Sequence, residues 1–248
     1  MINQLKAELR KILSVRSSYV IMAISTFFVV LINFYVVGWH STKLDVLSPS
    51  FLTNQDLQTI SFIAIFPAII SILLVTHEFR YNTIDYSLTL SRSRSRVLLA
   101  KLLVVSFVSL ILIAFFGAIS PLLGILALHL NHVNFVHQHY AFGPMIWHIL
   151  YYGWAYSIIA LFLAFLIRNQ IGSVVTLLIF PTIEGILSIW FKQNTVYLPF
   201  SALHKVLGAG QNVSSSTLSP SSAALVALGY LVILGGLSWI LFIKRDSS

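Results

Sequence analysis

Cysteine is absent from the 248 residues. That excludes disulfides, thiolate metal sites, iron–sulfur clusters and cysteine nucleophiles. Charge is almost as scarce. Asp, Glu, Lys and Arg make up 9% of the chain, against about 25% in a typical soluble domain. So little charge cannot coat a water-soluble fold of this size, and so apolar a chain does not stay disordered. Only seven residues are acidic, and no paired-carboxylate site can be assembled from them. None of the twelve glycines lies in a Gly-x-x-x-x-Gly-Lys-Ser/Thr phosphate loop. The run His77-Glu78-Phe79-Arg80-Tyr81 falls one residue short of a zinc-protease HExxH, because Tyr81 replaces the second histidine. No catalytic residue, metal site or cofactor site is expected in this chain.

What is present is apolar surface. Hydrophobic residues make up 58% of the sequence and the mean hydropathy is +0.90. An all-α membrane protein follows, because a spanning helix needs about 20 mostly apolar residues to cross about 30 Å of hydrocarbon. Six such runs occur: Tyr19–Trp39, Leu57–Thr76, Leu98–Leu128, Met145–Ile167, Ile171–Phe191 and Ala223–Ile243. The third exceeds one span, and Pro121 is its expected break. Only Arg168-Asn169-Gln170 separates the fourth from the fifth, which predicts a tight helical hairpin. The first run is too long for a signal peptide, and Gly38-Trp39-His40 is a poor cleavage site.

Six spans put both termini on one side. If that side is the cytoplasm, twelve Lys and Arg lie inside and three, Lys43, Lys192 and Lys205, lie outside. Such a bias is the positive-inside signature. The net charge of +8 therefore reports orientation, and no nucleic-acid partner is expected.

Ahead of the first span, Ile2, Leu5, Leu9, Ile12 and Leu13 recur at helical spacing, with Lys6, Arg10 and Lys11 away from them. Residues 1–18 read as an amphipathic helix lying in the cytoplasmic interface, its basic residues toward anionic lipid headgroups. Residues 19–248 form the six-span domain.

The stretch His77–Lys101 between the second and third spans carries seven of the 22 formal charges. Thr83 can cap a short helix, and Asp85 in its first turn is favoured by the helix dipole. Ile84, Tyr86, Leu88 and Leu90 place apolar bulk on a segment that should be wet. A capped, partly apolar helix beside charges fits a docking element for a soluble partner. A plain positive-inside anchor would explain Arg92, Arg94 and Arg96, but it has no need of Glu78.

Glu78-x-Arg80-x-Asn82-Thr83, followed by Ser91, Arg96 and Lys101, resembles the cytoplasmic signature of ABC type-2 transporter permeases. That signature is Glu-x-Arg/Lys-x-Gly-Thr, a short helix, then Ser/Arg and a Lys opening the third span. Asn82 stands where Gly is usual, and Asn is the next-best residue for a left-handed backbone. The resemblance extends to the amphipathic start, the six spans and the short hairpin, an architecture like that of type V ABC exporters. Met1–Leu13 and Tyr197-Leu198-Pro199-Phe200 also look like the bacitracin- and lantibiotic-resistance branch.

The resemblance implies a permease that pairs with a second permease, identical or homologous, and with two ABC ATPase subunits. Those partners would bind the ATP and Mg. It implies that residues 83–90, including Thr83, Ile84, Asp85, Tyr86 and Leu88, form the coupling helix within a coupling loop, 77–101. Glu78, Arg80 and Asn82 would shape its approach, and Arg96 and Lys101 would fix it to the third span. The implied location is the plasma membrane of a bacterium, with the chain a multi-pass permease whose N- and C-termini are cytoplasmic.

 The cargo it implies is an amphipathic peptide, antibiotic or lipid-like compound moved outward. Two other classes fit the residues less fully. One is a non-transporting sensor or assembly module docked to a soluble protein, and the other is a membrane-embedded enzyme.

Glu184 is the one acid inside the six runs, and Pro181 just before it can open a polar pocket. Two readings stand: a group facing the substrate pathway, or a hydrogen-bonded carboxyl at a helix interface. His129, His132, His137 and His139 crowd the outer loop after the third span; zinc ligation or pH sensing is conceivable, but the loop holds no carboxylate or cysteine to complete a metal site, and a solvated polar loop is the favoured reading. In residues 192–219, Phe200, Leu203, Val206 and Leu207 fall at helical spacing. A short amphipathic helix in the outer leaflet is expected there, and the family resemblance implies a re-entrant segment.

Overall fold

The computed structural model describes residues 2–39, 51–81, 83, 94–130, 142–208 and 218–244. Among these the chain is helical, with no strand. The helices are α1 (Ile2–Ser14), α2 (Arg16–Ile32), α3 (Phe51–Ile63), α4 (Ile65–Arg80), α5 (Arg94–Leu130), α6 (Phe142–Ile167), α7 (Gln170–Phe191), α8 (Pro199–Leu207) and α9 (Pro220–Lys244). Six stretches are long and apolar enough to cross a membrane: Arg16–Val36, Thr53–Arg80, Arg94–Leu130, Met145–Ile167, Gln170–Phe191 and Pro220–Lys244. They coincide with the six apolar runs of the sequence.

The second and fourth spans are the centre of the bundle. Most of their residues are buried, whereas the first, fifth and sixth spans turn most of theirs outward. The Ile113 side chain of the third span packs onto the backbone of the fourth at Gly153, where a Cβ would stand 2.3 Å from Ile113 Cγ1. Any side chain there would force Ile113 to shift.

Two prolines behave in opposite ways. Pro67 has no N–H for the Ile63 carbonyl, and its ring crowds that carbonyl. The second span therefore turns at Ala64 and splits into α3 and α4. The Ala64 N–H still reaches Ile60 O at 3.0 Å, so the two pieces stay nearly in line. The break expected at Pro121 does not occur, and α5 runs through it for 37 residues. Pro121 is buried against neighbouring helices, which can hold a helix together across a missing hydrogen bond.

The first span widens into a π-helical segment at Asn33–Trp39. There the Asn33 amide donates to Val29 O at 2.9 Å, adding a side-chain bond where the backbone ladder shifts register. The hairpin between α6 and α7 turns on Arg168, whose φ of 57° is left-handed. Asn169 then caps α7, its side-chain oxygen accepting the Gly172 N–H at 3.0 Å. After α7, a 3-10 turn at Lys192–Tyr197 leads into α8. The apolar face of α8, with Phe200, Leu203, Val206 and Leu207, is buried against the other helices. It covers the bundle from within, so that face is not turned to lipid.

Candidate functional site

Four charged side chains meet where α1 crosses the ends of the second and third spans. The Lys101 ammonium donates to Glu8 Oε2 at 2.7 Å and to the Leu74 carbonyl at 3.1 Å, and lies 3.0 Å from Glu78 Oε1. An ammonium has three N–H donors, and these three acceptors match them. Lys11 lies 2.7 Å from Glu8 Oε1 and also pairs with Glu78. Lys101 is fully buried, and Glu8 and Glu78 are 5% and 4% exposed.

Each residue is placed by its helix. Glu8 and Lys11 are one turn apart on α1, Glu78 lies in the last turn of α4, and Lys101 lies two turns into α5. The four formal charges cancel, which is what lets them leave water. Burial pushes the Glu8 carboxyl up, but the charge of Lys101 and its bonds to Lys101 and Lys11 outweigh this and hold it below its ordinary value. Burial likewise pulls Lys11 down, and its bonds to Glu78 and Glu8 reverse the sign and raise it.

The rest of the expected coupling set is arranged around this cluster. Arg80 is exposed at the end of α4, its guanidinium 5.6 Å over the Tyr81 ring. The Thr83 N–H bonds Glu78 O at 3.0 Å and its side chain is exposed. Arg96 is exposed in the first turn of α5. Arg94 reaches the other end of the chain, donating to Ile243 O at 3.1 Å at the close of α9. Arg168 of the hairpin stands 5.0 Å over Phe79. Asn82, Ile84, Asp85, Tyr86 and Leu88, and with them the expected coupling helix, lie outside the described residues.

Lys11 corrects one expectation. It is not only an interfacial cation: it pairs with Glu8 and Glu78 in the ion cluster while its side chain stays 39% exposed. Glu8 was legible in principle: it falls three residues after Leu5 and four before Ile12, on the apolar stripe of α1. An acid on that stripe signals a buried partner.

A second polar group lies in the far half of the bundle. Glu184 accepts from the Phe200 N–H at 3.1 Å, the Ser201 N–H at 2.7 Å and the Ser201 hydroxyl at 3.0 Å. It thereby caps α8 from another helix, which suits a carboxylate at a helix N-terminus. Pro181, one turn earlier, lines a cavity of about 380 Å³. Ser61 of the second span, Tyr152 and Tyr156 of the fourth, Leu178 of the fifth and His204 of α8 line it too. The Ser61 hydroxyl lies 3.3 Å from the Tyr152 hydroxyl and 3.4 Å from His204 Nδ1. Burial holds His204 below its ordinary imidazole value. No Asp, Glu, Lys or Arg lines this cavity among the described residues.

Glu184 is not the one acid within the spans. The second-span helix begins before Leu57 and takes in Asp56, which is 2% exposed. Asp56 accepts from the Ser120 hydroxyl at 2.6 Å, and Ser120 accepts from Asn33 at 3.2 Å. Of the four histidines after the third span, His129 lies in the last turn of α5 and is exposed, and the other three lie outside the described residues.

A multi-pass α-helical bundle, with buried charges joining an N-terminal helix to two of its spans, defines the class of an integral membrane protein. The family comparison gives that class its name. The model of the ABC-2 family transporter proteins matches residues 4–184, well over half of the chain, and the chain belongs to that family. The match takes in all four residues of the ion cluster. None of the curated proteins compared with the chain matches it. As a member of this family the chain is the membrane component of an ABC transporter, a class that works with ABC ATPase subunits.

Proposed function

We propose that the chain is the permease subunit of an ATP-driven exporter, and that Glu8, Lys11, Glu78 and Lys101 carry movement from the ATPase into the spans. The observation that carries the reading is the position of the cluster. Lys101 and Glu78 flank the segment 79–100 on either side, and Glu8 adds α1 to the same node. A push on residues 83–90 would therefore reach the second span, the third span and α1 together. Arg94 adds the sixth span and Arg168 the hairpin. Such a rigid node suits hinge or shear motion of one helix group against another.

On this reading two ATPase subunits bind ATP and Mg, and a second permease, identical or homologous, completes the pathway. The termini are cytoplasmic, as the twelve-to-three distribution of basic residues supports. The cargo is an amphipathic peptide, antibiotic or lipid-like compound. An uncharged cavity with hydroxyl and imidazole groups among aromatic walls supports such cargo, and Pro181 and Glu184 belong to the structure that bounds it.

The test is transport of a fluorescent amphipathic peptide in proteoliposomes holding the permease and its co-purifying ATPase. ATP-dependent movement is expected. Transport that runs unchanged after the ATPase is omitted sinks the proposal.

A further inference from the structure

A wedge-shaped cavity of about 350 Å³ separates α1 from the second span. That volume lies within the range of about 300–1,000 Å³ typical of small-ligand sites. Val15 creates the wedge. It leaves the helix with φ −83° and ψ 119°, and the Tyr19 hydroxyl pins the bend by donating to Leu13 O at 2.6 Å.

The lining is graded along its length. Ile70, Leu73 and Leu74 form the deep floor, and Lys11, Tyr81 and Thr83 form the mouth. From Ile70 to Tyr81 is about 16 Å along the helix at 1.5 Å per residue. An apolar floor running to a polar mouth, at the end of a membrane bundle, matches an amphiphile lying parallel to the spans.

The charges at the mouth select its head. Glu78 also lines the wedge, but its carboxylate is buried and turned onto the two lysines. The cations face outward: the Lys11 side chain is 39% exposed, and the Arg80 guanidinium lies over Tyr81. The hydroxyls of Tyr81 and Thr83 add donors beside them. Ammonium, guanidinium and hydroxyl donors together fit a phosphate.

We propose that this wedge binds a phospholipid of the adjoining leaflet. One acyl chain lies over Ile70, Leu73 and Leu74, and the phosphate meets Lys11, Tyr81 and Thr83. The inference is independent of the cargo and of the ATPase. Because Lys11 also holds Glu8 and Glu78, an occupied wedge acts directly on the ion cluster.

The full chain in phosphatidylcholine nanodiscs, doped with phosphatidylglycerol carrying a diazirine in one acyl chain, tests this by photo-crosslinking and peptide mapping. Adducts should concentrate on Ile70, Leu73 and Leu74 and disappear when unlabelled phosphatidylglycerol is added. Adducts on Phe107 and Ile111, which are exposed on the third span, should persist. Diacylglycerol, which has the chains without the phosphate, should not compete. Leu73→Trp should abolish the wedge adducts, and if that variant does not fold, competition in the wild type decides. Wedge adducts no more frequent or competable than those on Phe107 and Ile111 would overturn the site. Equal competition by diacylglycerol would overturn the phosphate.

Discussion

Replacing Lys101 by Met keeps the side chain's length and removes its charge. Glu8 and Glu78 then remain 5% and 4% exposed, with Lys11 as their shared counter-ion, and the Leu74 carbonyl loses its side-chain donor. Removing one partner from a buried ion pair costs about 3–5 kcal/mol. Lys11 keeps part of the compensation, so the loss should fall at the low end, about 3 kcal/mol. Adding Glu8→Gln restores one cation to one anion, Lys11 to Glu78. The double variant should then be more stable than the sum of its single changes by about 1–2 kcal/mol, within the range for coupled neighbours. The assay is reversible unfolding in mixed micelles titrated with sodium dodecyl sulfate, with the two single variants and the double in one cycle. A loss for Lys101→Met below about 1 kcal/mol, the level of an exposed pair, would refute the reasoning. So would strict additivity of the two changes.

Three further outcomes follow from the same geometry. Glu8 is held below its ordinary value of 4.5, so its stabilisation is present above that pH and lost as pH falls through the lower folded value. Lys11 is raised above 10.5, so its share is present below that pH and lost as pH rises through the higher folded value. Unfolding midpoints should be level between these limits and fall outside them, and the acid fall should shrink in Glu8→Gln. Gly153→Ala should cost about 1–3 kcal/mol by overpacking and be relieved by Ile113→Ala, read as melting temperature in detergent; no relief would mean that the Ile113 contact is not the cause. Glu184→Gln weakens the cap on α8 and should cost about 1.5–3 kcal/mol, the worth of hydrogen bonds to a charged group. Hydrogen exchange at Phe200 and Ser201 should rise, and unchanged cargo-stimulated ATPase activity in that variant would remove Glu184 from the pathway.

The spans were legible because hydrophobic length is a local property, and so was the hairpin at Arg168-Asn169. Helix continuity at proline was not. Pro67 and Pro121 remove the same hydrogen bond, yet one turns its helix and the other does not, because packing by distant helices decides. The cluster was half legible. Glu78 and Lys101 carry the family signature, while Glu8 pairs with Lys101 across 93 residues, and no local pattern specifies that register. Glu184 stood out as an acid in an apolar run, but its partners on α8 come from a turn whose position only the fold fixes. His204, Ser61 and Tyr152 are ordinary residues in the sequence and meet only through the packing of α8 on the second and fourth spans.

Purification of the chain from its host in mild detergent, with crosslinkers placed in residues 83–90, tests the central claim most directly. The account predicts a stoichiometric soluble partner carrying a phosphate-binding Gly-Lys-Ser/Thr loop, captured through that segment. Capture that leaves no ATPase in the complex would contradict it.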